Sequence, residues 1–192
     1  MNLYRMFKWF FLVLIIMSPL VTNAAAPSWE IVPTESSITF TGIQNDAPAS
    51  GSIKKFNGRI QFDPKQLNDS KVRIVIDMNS ITTSYIDFTT TLLTEDWFNV
   101  KLFPKAVFET TKFKKTDDNH YQATGTLKIR DKIVPVTLTF EAKELSPSIV
   151  LVKGNTTLKR TQFGIGQGEW ADTEAVKDVV NVNFQIVASK KL

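Results

Sequence analysis

The sequence predicts an all-β protein, an eight-stranded antiparallel barrel with one short helical segment. Three observations predict it. Stretch after stretch alternates apolar and polar residues with period two, the mark of a strand with one wet and one dry face. Turn residues separate these stretches at short intervals, which suits antiparallel neighbours. About eight strands in one open sheet would leave two edges that invite aggregation, and closing the sheet removes them. A β-sandwich is the alternative that the same pattern permits.

The chain opens with "MNLYRMFKWFFLVLIIMSPLVTNAAA". Arg5 and Lys8 precede an apolar run from Trp9 to Met17, and small residues follow. That is the layout of a secretory signal peptide over residues 1–24. The run is short for a membrane span, which needs about 20 apolar residues; a retained anchor is the competing reading. Cleavage is expected after Ala24, with Ala25 or Ala26 as alternatives, leaving one domain over residues 25–192. The cut removes Arg5 and Lys8 and no acid, so net charge falls from +4 to +2.

The strands then follow in order. "SSITFTGI" places Ile38 and Phe40 in phase. "GSIKKFNGRIQFD" places Phe56, Gly58, Ile60 and Phe62 in phase. "KVRIVIDMNSI" does the same for Val72, Ile74, Ile76 and Met78, with Arg73 and Asp77 opposite. The period breaks in "SYIDFTTTLLTEDWF", where Ile86, Leu93 and Trp97 fall on helical spacing with Leu92 beside them. Preceding Ser and Thr residues suit an N-cap, and the threonines inside weaken helix propensity. A short helix is expected there, with Phe103-Pro104 leading back into a strand. "AVFETTKF" and "HYQATGTLKIRD" continue the series, the latter with Leu127 and Ile129 on the dry face. After a break at Asp131-Lys132, Val134, Val136, Leu138 and Phe140 repeat the pattern and complete a hairpin. "SIVLVKG", "TTLKRTQFG" and "DVVNVNFQIVAS" close the list; in the last, Val180, Val182, Phe184 and Ile186 alternate with polar residues. An eight-stranded barrel is wide enough to be filled by side chains or to hold one small ligand, and periodicity does not choose between them.

Few groups in the chain suggest chemistry. There is no cysteine, which excludes thiol catalysis and thiolate metal sites. His120 is the only histidine and follows "KTDDN" in an expected turn, so no nucleophile–base set is visible. "FGIGQGEW" has alternate glycines but lacks the strand, Gly-x-Gly-x-x-Gly and helix of a dinucleotide site. It reads as a flexible loop at the barrel mouth. Asp172, Glu174 and Asp178 read as a solvated acidic loop rather than a cation site. No basic stripe with interleaved aromatics points to nucleic acid.

The pieces "WEIVPTESSITFTG", "FNGRIQFD", "VRIVIDMNSITT", "LFPKAVFETTKF", "ATGTLKIRDKIVPVTLTF", "RTQFGIG" and "VVNVNFQIVASKK" stand in order from Trp29 to about Ser189. In that order they resemble the YceI-like family of periplasmic, lipocalin-like, polyisoprenoid-binding proteins. The resemblance implies a lipocalin-like barrel around a long apolar tunnel that takes isoprenoid chains, polyprenyl or quinone. Three places depart from the family. Many members carry an Arg-Asp pair and then a His after "SITT", where this chain has "YIDFTTTLLTEDWF". A His often precedes Ser in the opening strand, where this chain has Ser36-Ser37. A Gly usually follows the Arg of the hairpin turn, where this chain has Asp131. Head-group preference is therefore not carried over with the fold.

With the tunnel reading, the apolar wall is assigned to Phe40, Phe56, Ile60, Phe62, Ile74, Ile76, Met78, Leu93, Trp97, Phe108, Leu127, Ile129, Val136, Leu138, Phe140, Phe163 and Phe184. The expected function is a periplasmic, non-catalytic carrier, store or sequestering protein for an isoprenoid lipid or isoprenoid quinone. No covalent cofactor, metal or nucleic-acid partner is expected. An accessory that presents a quinone to a membrane cytochrome is the alternative, with transient membrane contact; monomer and homodimer both stay open.

Overall fold

The computed structural model describes residues 26–191, so the expected signal peptide and its cleavage site lie outside the described residues. Among the described residues eleven strands form one sheet: β1 (Ser28–Ile31), β2 (Ser37–Gln44), β3 (Ala47–Ile53), β4 (Phe56–Gln61), β5 (Lys71–Asp77), β6 (Ile81–Thr83), β7 (Lys105–Asp117), β8 (His120–Ile129), β9 (Lys132–Ser146), β10 (Ile149–Lys159) and β11 (Val179–Lys190). All pairings are antiparallel, and β11 pairs with both β10 and β1, which closes the sheet on itself.

Three of the barrel's eight staves are broken, which reconciles eleven strands with eight. β1 and β2 form the first stave, interrupted at a single turn of 3-10 helix, Pro33–Glu35. Proline cannot donate to a ladder, so a strand breaks there readily. The Ser36 hydroxyl bridges the break, donating to the Val32 carbonyl at 2.8 Å and accepting from the Val187 amide at 3.0 Å. β3 and β4 form the second stave, broken at Lys54-Lys55, where one unbroken strand was expected. β5 and β6 form the third, broken at Met78–Ser80. The second and third breaks adjoin: the Lys54 amide bonds the Ser80 carbonyl and the Lys55 amide bonds its hydroxyl, so both staves bend together. In the other direction, "SIVLVKG" and "TTLK" form one strand, β10, that runs straight through Gly154. A Cβ at Gly154 would collide with the Phe184 ring, the Phe140 Cβ and the Thr139 carbonyl, so glycine keeps the neighbouring rings in place.

Each stave connects to the next around the barrel, so the loops fall alternately at two ends. One end carries the two-residue turn Asn45-Asp46, the helix, the turn Arg130-Asp131 and the long loop 160–178. Both Asn45 and Asp46 have positive φ, the geometry that matches strand twist in a tight hairpin. The opposite end carries loop 62–70, the two short turns after β7 and β9, and the outer ends of β1 and β11.

The helix, α1 (Ile86–Leu93), falls in the segment where a short helix was expected and ends before Trp97. Tyr85 stands at its N-cap without a capping side chain. The Thr90 and Thr91 hydroxyls bond back to the carbonyls of Ile86 and Asp87, and the helix ends at Thr94. Ile86 is exposed, while Leu92 and Trp97 are buried, Trp97 from the turn that follows the helix. β7 also breaks its own period. A bulge at Thr111 lets Ala106 and Phe108 face inward before it and Phe113 after it, although 108 and 113 are out of phase.

Candidate functional site

The barrel is filled at one end and hollow at the other. At the closed end Phe62, Phe113, Tyr121 and Phe140 pack edge to face and stacked, with centroids 5.4 to 6.4 Å apart. Phe113 and Tyr121 are buried there. A middle layer contains Phe108 and Val136, with Ile74 and Leu138 packed against the same core.

Toward the helix end the interior opens into a cavity of about 350 Å³. Its wall brings together seven residues assigned from the sequence: Phe40, Ile76, Met78, Trp97, Leu127, Ile129 and Phe163. The other ten stand elsewhere. Phe62 and Phe140 belong to the aromatic plug, Phe108, Val136, Ile74 and Leu138 belong to the layer above it, and Leu93 packs on the core from the end of α1. Phe56 and Ile60 are half-buried on β4, and Phe184 borders a shallow polar groove between β2, β10 and β11. Period two reports which side of the sheet a residue faces. It does not report depth along the barrel axis, and depth separates the wall from the plug.

The wall also uses residues not assigned to it from the sequence. Ile38, Ile53, Ala106, Leu158, Val180 and Val182 come from strands; Ile81 comes from the bent stave, Leu92 from the helix and Phe98 from the turn after it. Ile38, Val180 and Val182 had the inward phase in the sequence and were legible as wall. Ile165 and Trp170 enter from loop 160–178, which carries no periodic signal.

That loop closes part of the helix end, and it is tied down rather than free. Arg160 is 3% exposed. Its Nε donates to the Lys177 carbonyl at 3.3 Å. One terminal nitrogen donates to Ile165 and Gly166 carbonyls at 2.9 and 3.5 Å, the other to Asp172 and Val176 carbonyls at 2.6 and 2.8 Å. Burial pushes this guanidinium below its ordinary range, and the Asp178 and Asp172 carboxylates oppose the shift. Its Cζ lies 5.9 Å from the Trp97 ring centroid, within cation–π reach. Arg130, from the β8–β9 turn, donates to the carbonyls of Trp97 at 2.7 Å and Gly164 at 2.6 Å. Gly164, Gly166 and Gly168 all have positive φ, so the alternate glycines allow the tight path that presents Phe163 and Ile165 inward.

Polar side chains are few on this wall: Gln44, Asp87, Thr91, Arg160 and Lys177. Asp87 is exposed and on the wall at once, so it marks the opening. His120 is exposed at the start of β8, beside the turn after β7 at the closed end, with its ring bonded to the Asp118 carbonyl. Asp178 accepts from the Thr161 amide and hydroxyl, and Asp172 from the Glu174 amide. These acids shape the loop.

Comparison with known proteins matches this geometry to a family. The sequence pattern described as YceI-like domain matches residues 29–188. Protein YceI of Salmonella arizonae is 37% identical over 93 residues, 48% of this chain and 47% of that protein. The chain spans under half the length of the curated relatives it matches. Among solved structures, BcnA of Burkholderia cenocepacia is 28% identical with a TM-score of 0.78, covering 82% of this chain and 98% of that one. A polyisoprenoid-binding domain from Saccharophagus degradans has a TM-score of 0.68 over 86% of this chain and 99% of its own. At 12% identity that second likeness shows a shared fold.

Proposed function

This chain belongs to the YceI-like family, and we propose that it is a periplasmic, non-catalytic binding protein. Its barrel cavity would hold the tail of a long isoprenoid lipid or isoprenoid quinone, for carriage, storage or sequestration. The observation that supports this reading is the apolar cavity of about 350 Å³ with its opening at Asp87. Native interiors contain few voids larger than a water molecule. A hollow of this size forgoes the packing contacts that a filled core would make, so it is best understood as a site, and its volume lies in the range of ligand pockets. The name of the Saccharophagus domain agrees with this class of ligand.

Apolar burial would supply the affinity. Each CH₂ contributes about 0.8 kcal/mol, so a five-carbon unit contributes roughly 4 kcal/mol gross. Ordering of the chain offsets much of that. The tail then sets affinity, and the few polar residues at the opening set which head is tolerated.

Extraction of lipid from the purified protein, followed by mass spectrometry, tests the proposal. A stoichiometric isoprenoid is the expected result, and protein that yields no lipid and takes up none would refute it. A recovered quinone that exchanges electrons with a membrane cytochrome would favour the accessory role over carriage. We propose export as well: the intact mass of the mature protein should begin at Ala25, or a residue or two later. Full-length chain in the membrane fraction would contradict cleavage.

A further inference from the structure

We infer that the opening of this cavity selects an isoprenoid with a neutral head, bearing a hydroxyl or carbonyl, and discriminates against one ending in a diphosphate. The inference rests on the reading that the cavity takes an isoprenoid tail, and it names the head that the same site admits.

A diphosphate needs unspent cationic or N–H donors at the point where it would sit. Two cations line the cavity, Arg160 and Lys177. A guanidinium has five N–H donors. At Arg160 all five are taken by the carbonyls of Ile165, Gly166, Asp172, Val176 and Lys177. The Lys177 ammonium donates to the Glu174 carbonyl at 3.0 Å and stands 3.7 Å from the Asp46 carboxylate. That ion pair is exposed and weak, but it sets a carboxylate beside the lysine, so a diphosphate meets no unopposed charge there.

The anions there are less occupied. The Asp87 carboxylate lies on the wall and has no hydrogen-bond or ion-pair partner among the described residues. It sits in the first turn of α1, so the electropositive end of that helix already has its anion. The acidic segment 172–174 flanks the opening, because the Asn45 amide bonds the Ala175 carbonyl and Gln44 bridges Val176. Counting the flanking groups, Asp46, Asp87, Asp172 and Glu174 stand against Arg160 and Lys177, so carboxylates outnumber cations at the rim. What the wall offers a ligand is neutral: Gln44, half-buried, whose side-chain amide has no partner among the described residues, and the buried, unpartnered indole N–H of Trp97. An amide both donates and accepts, which suits a carbonyl or a hydroxyl.

The test is binding of two probes with one tail, geranylgeraniol and geranylgeranyl diphosphate, to delipidated mature protein at one ionic strength. Tryptophan fluorescence can follow it, since Trp97 and Trp170 line the cavity. The alcohol should bind tighter by roughly tenfold or more. Asp87→Lys, a change at an exposed position, should narrow that gap by strengthening the diphosphate alone, and Asp87→Asn should narrow it less. Diphosphate binding equal to or tighter than the alcohol in the wild type would overturn the inference and leave the isoprenoid site standing. A gap untouched by Asp87→Lys would overturn the assignment to this carboxylate. If neither probe binds, the isoprenoid reading itself fails.

Discussion

A buried guanidinium survives in a fold only if its donors are met, and at Arg160 backbone carbonyls meet them all. Arg160→Met keeps the stem and deletes the head, which leaves those carbonyls short of donors. Stability in denaturant should fall on the order of 3 kcal/mol. Amide exchange should quicken in residues 161–178 before it quickens in the strands. Unchanged stability and exchange would show that Phe163 and Ile165 hold the loop without the arginine. His120 is the opposite case, exposed beside a turn at the closed end. His120→Ala should change stability by no more than about 0.5 kcal/mol and leave lipid binding intact; a loss of binding beyond about tenfold would contradict that placement. The two residues were unequally legible. A lone histidine after "KTDDN" announces a turn. An arginine whose partners are carbonyls scattered over a loop leaves no pattern in the sequence, and the adjoining glycines read as freedom where the fold has a clamp.

Among the elements, the strands and the short helix were legible in kind, and their breaks and caps were not. Alternation placed Leu127, Ile129 and Val136 on the inner face of the β8–β9 hairpin, and all three are buried there. Alternation also foretold Ile38 and Phe40 on β2, but it could not foretell the break between β3 and β4, because Lys54 and Lys55 read as one more polar position. The Thr111 bulge was hidden for a similar reason: one extra residue restores the same chemistry on a shifted phase. The helix was legible as a short segment, but its start was not, since Tyr85 stands at the N-cap where a Ser or Thr was expected. Three consecutive threonines, Thr89 to Thr91, lower its propensity, and two of them bond back into the helix carbonyls. Thr90 is exposed, so Thr90→Ala removes the propensity cost without touching the wall. It should raise stability by about 0.5 kcal/mol with lipid binding unchanged. A destabilised variant would mean that the Thr90 hydroxyl's bond to the Ile86 carbonyl outweighs propensity.

For the whole molecule, the question left open by the sequence was whether the dry faces meet or enclose something, and they do both at different depths. Aromatic rings fill the end that carries the short loops, and the helix end is hollow. A charge placed inward should therefore act differently at the two ends. Phe113→Lys would bury an unpaired ammonium in the aromatic plug, and the protein should fail to fold. Val75→Lys, on the outer face of β5 one step from Ile76, should fold and keep its lipid, because one residue reverses the face. Ile76→Lys faces the cavity, where water can enter once the lipid has left and the ammonium is partly solvated. The most direct measurement is the lipid recovered per mole of Ile76→Lys protein beside wild type, with a thermal melt of each. A lipid-binding hollow predicts a cooperatively folded Ile76→Lys protein that carries no isoprenoid, beside a wild type that carries one. An Ile76→Lys protein loaded like wild type, or an unfolded variant beside a wild type that yields no lipid, would contradict it.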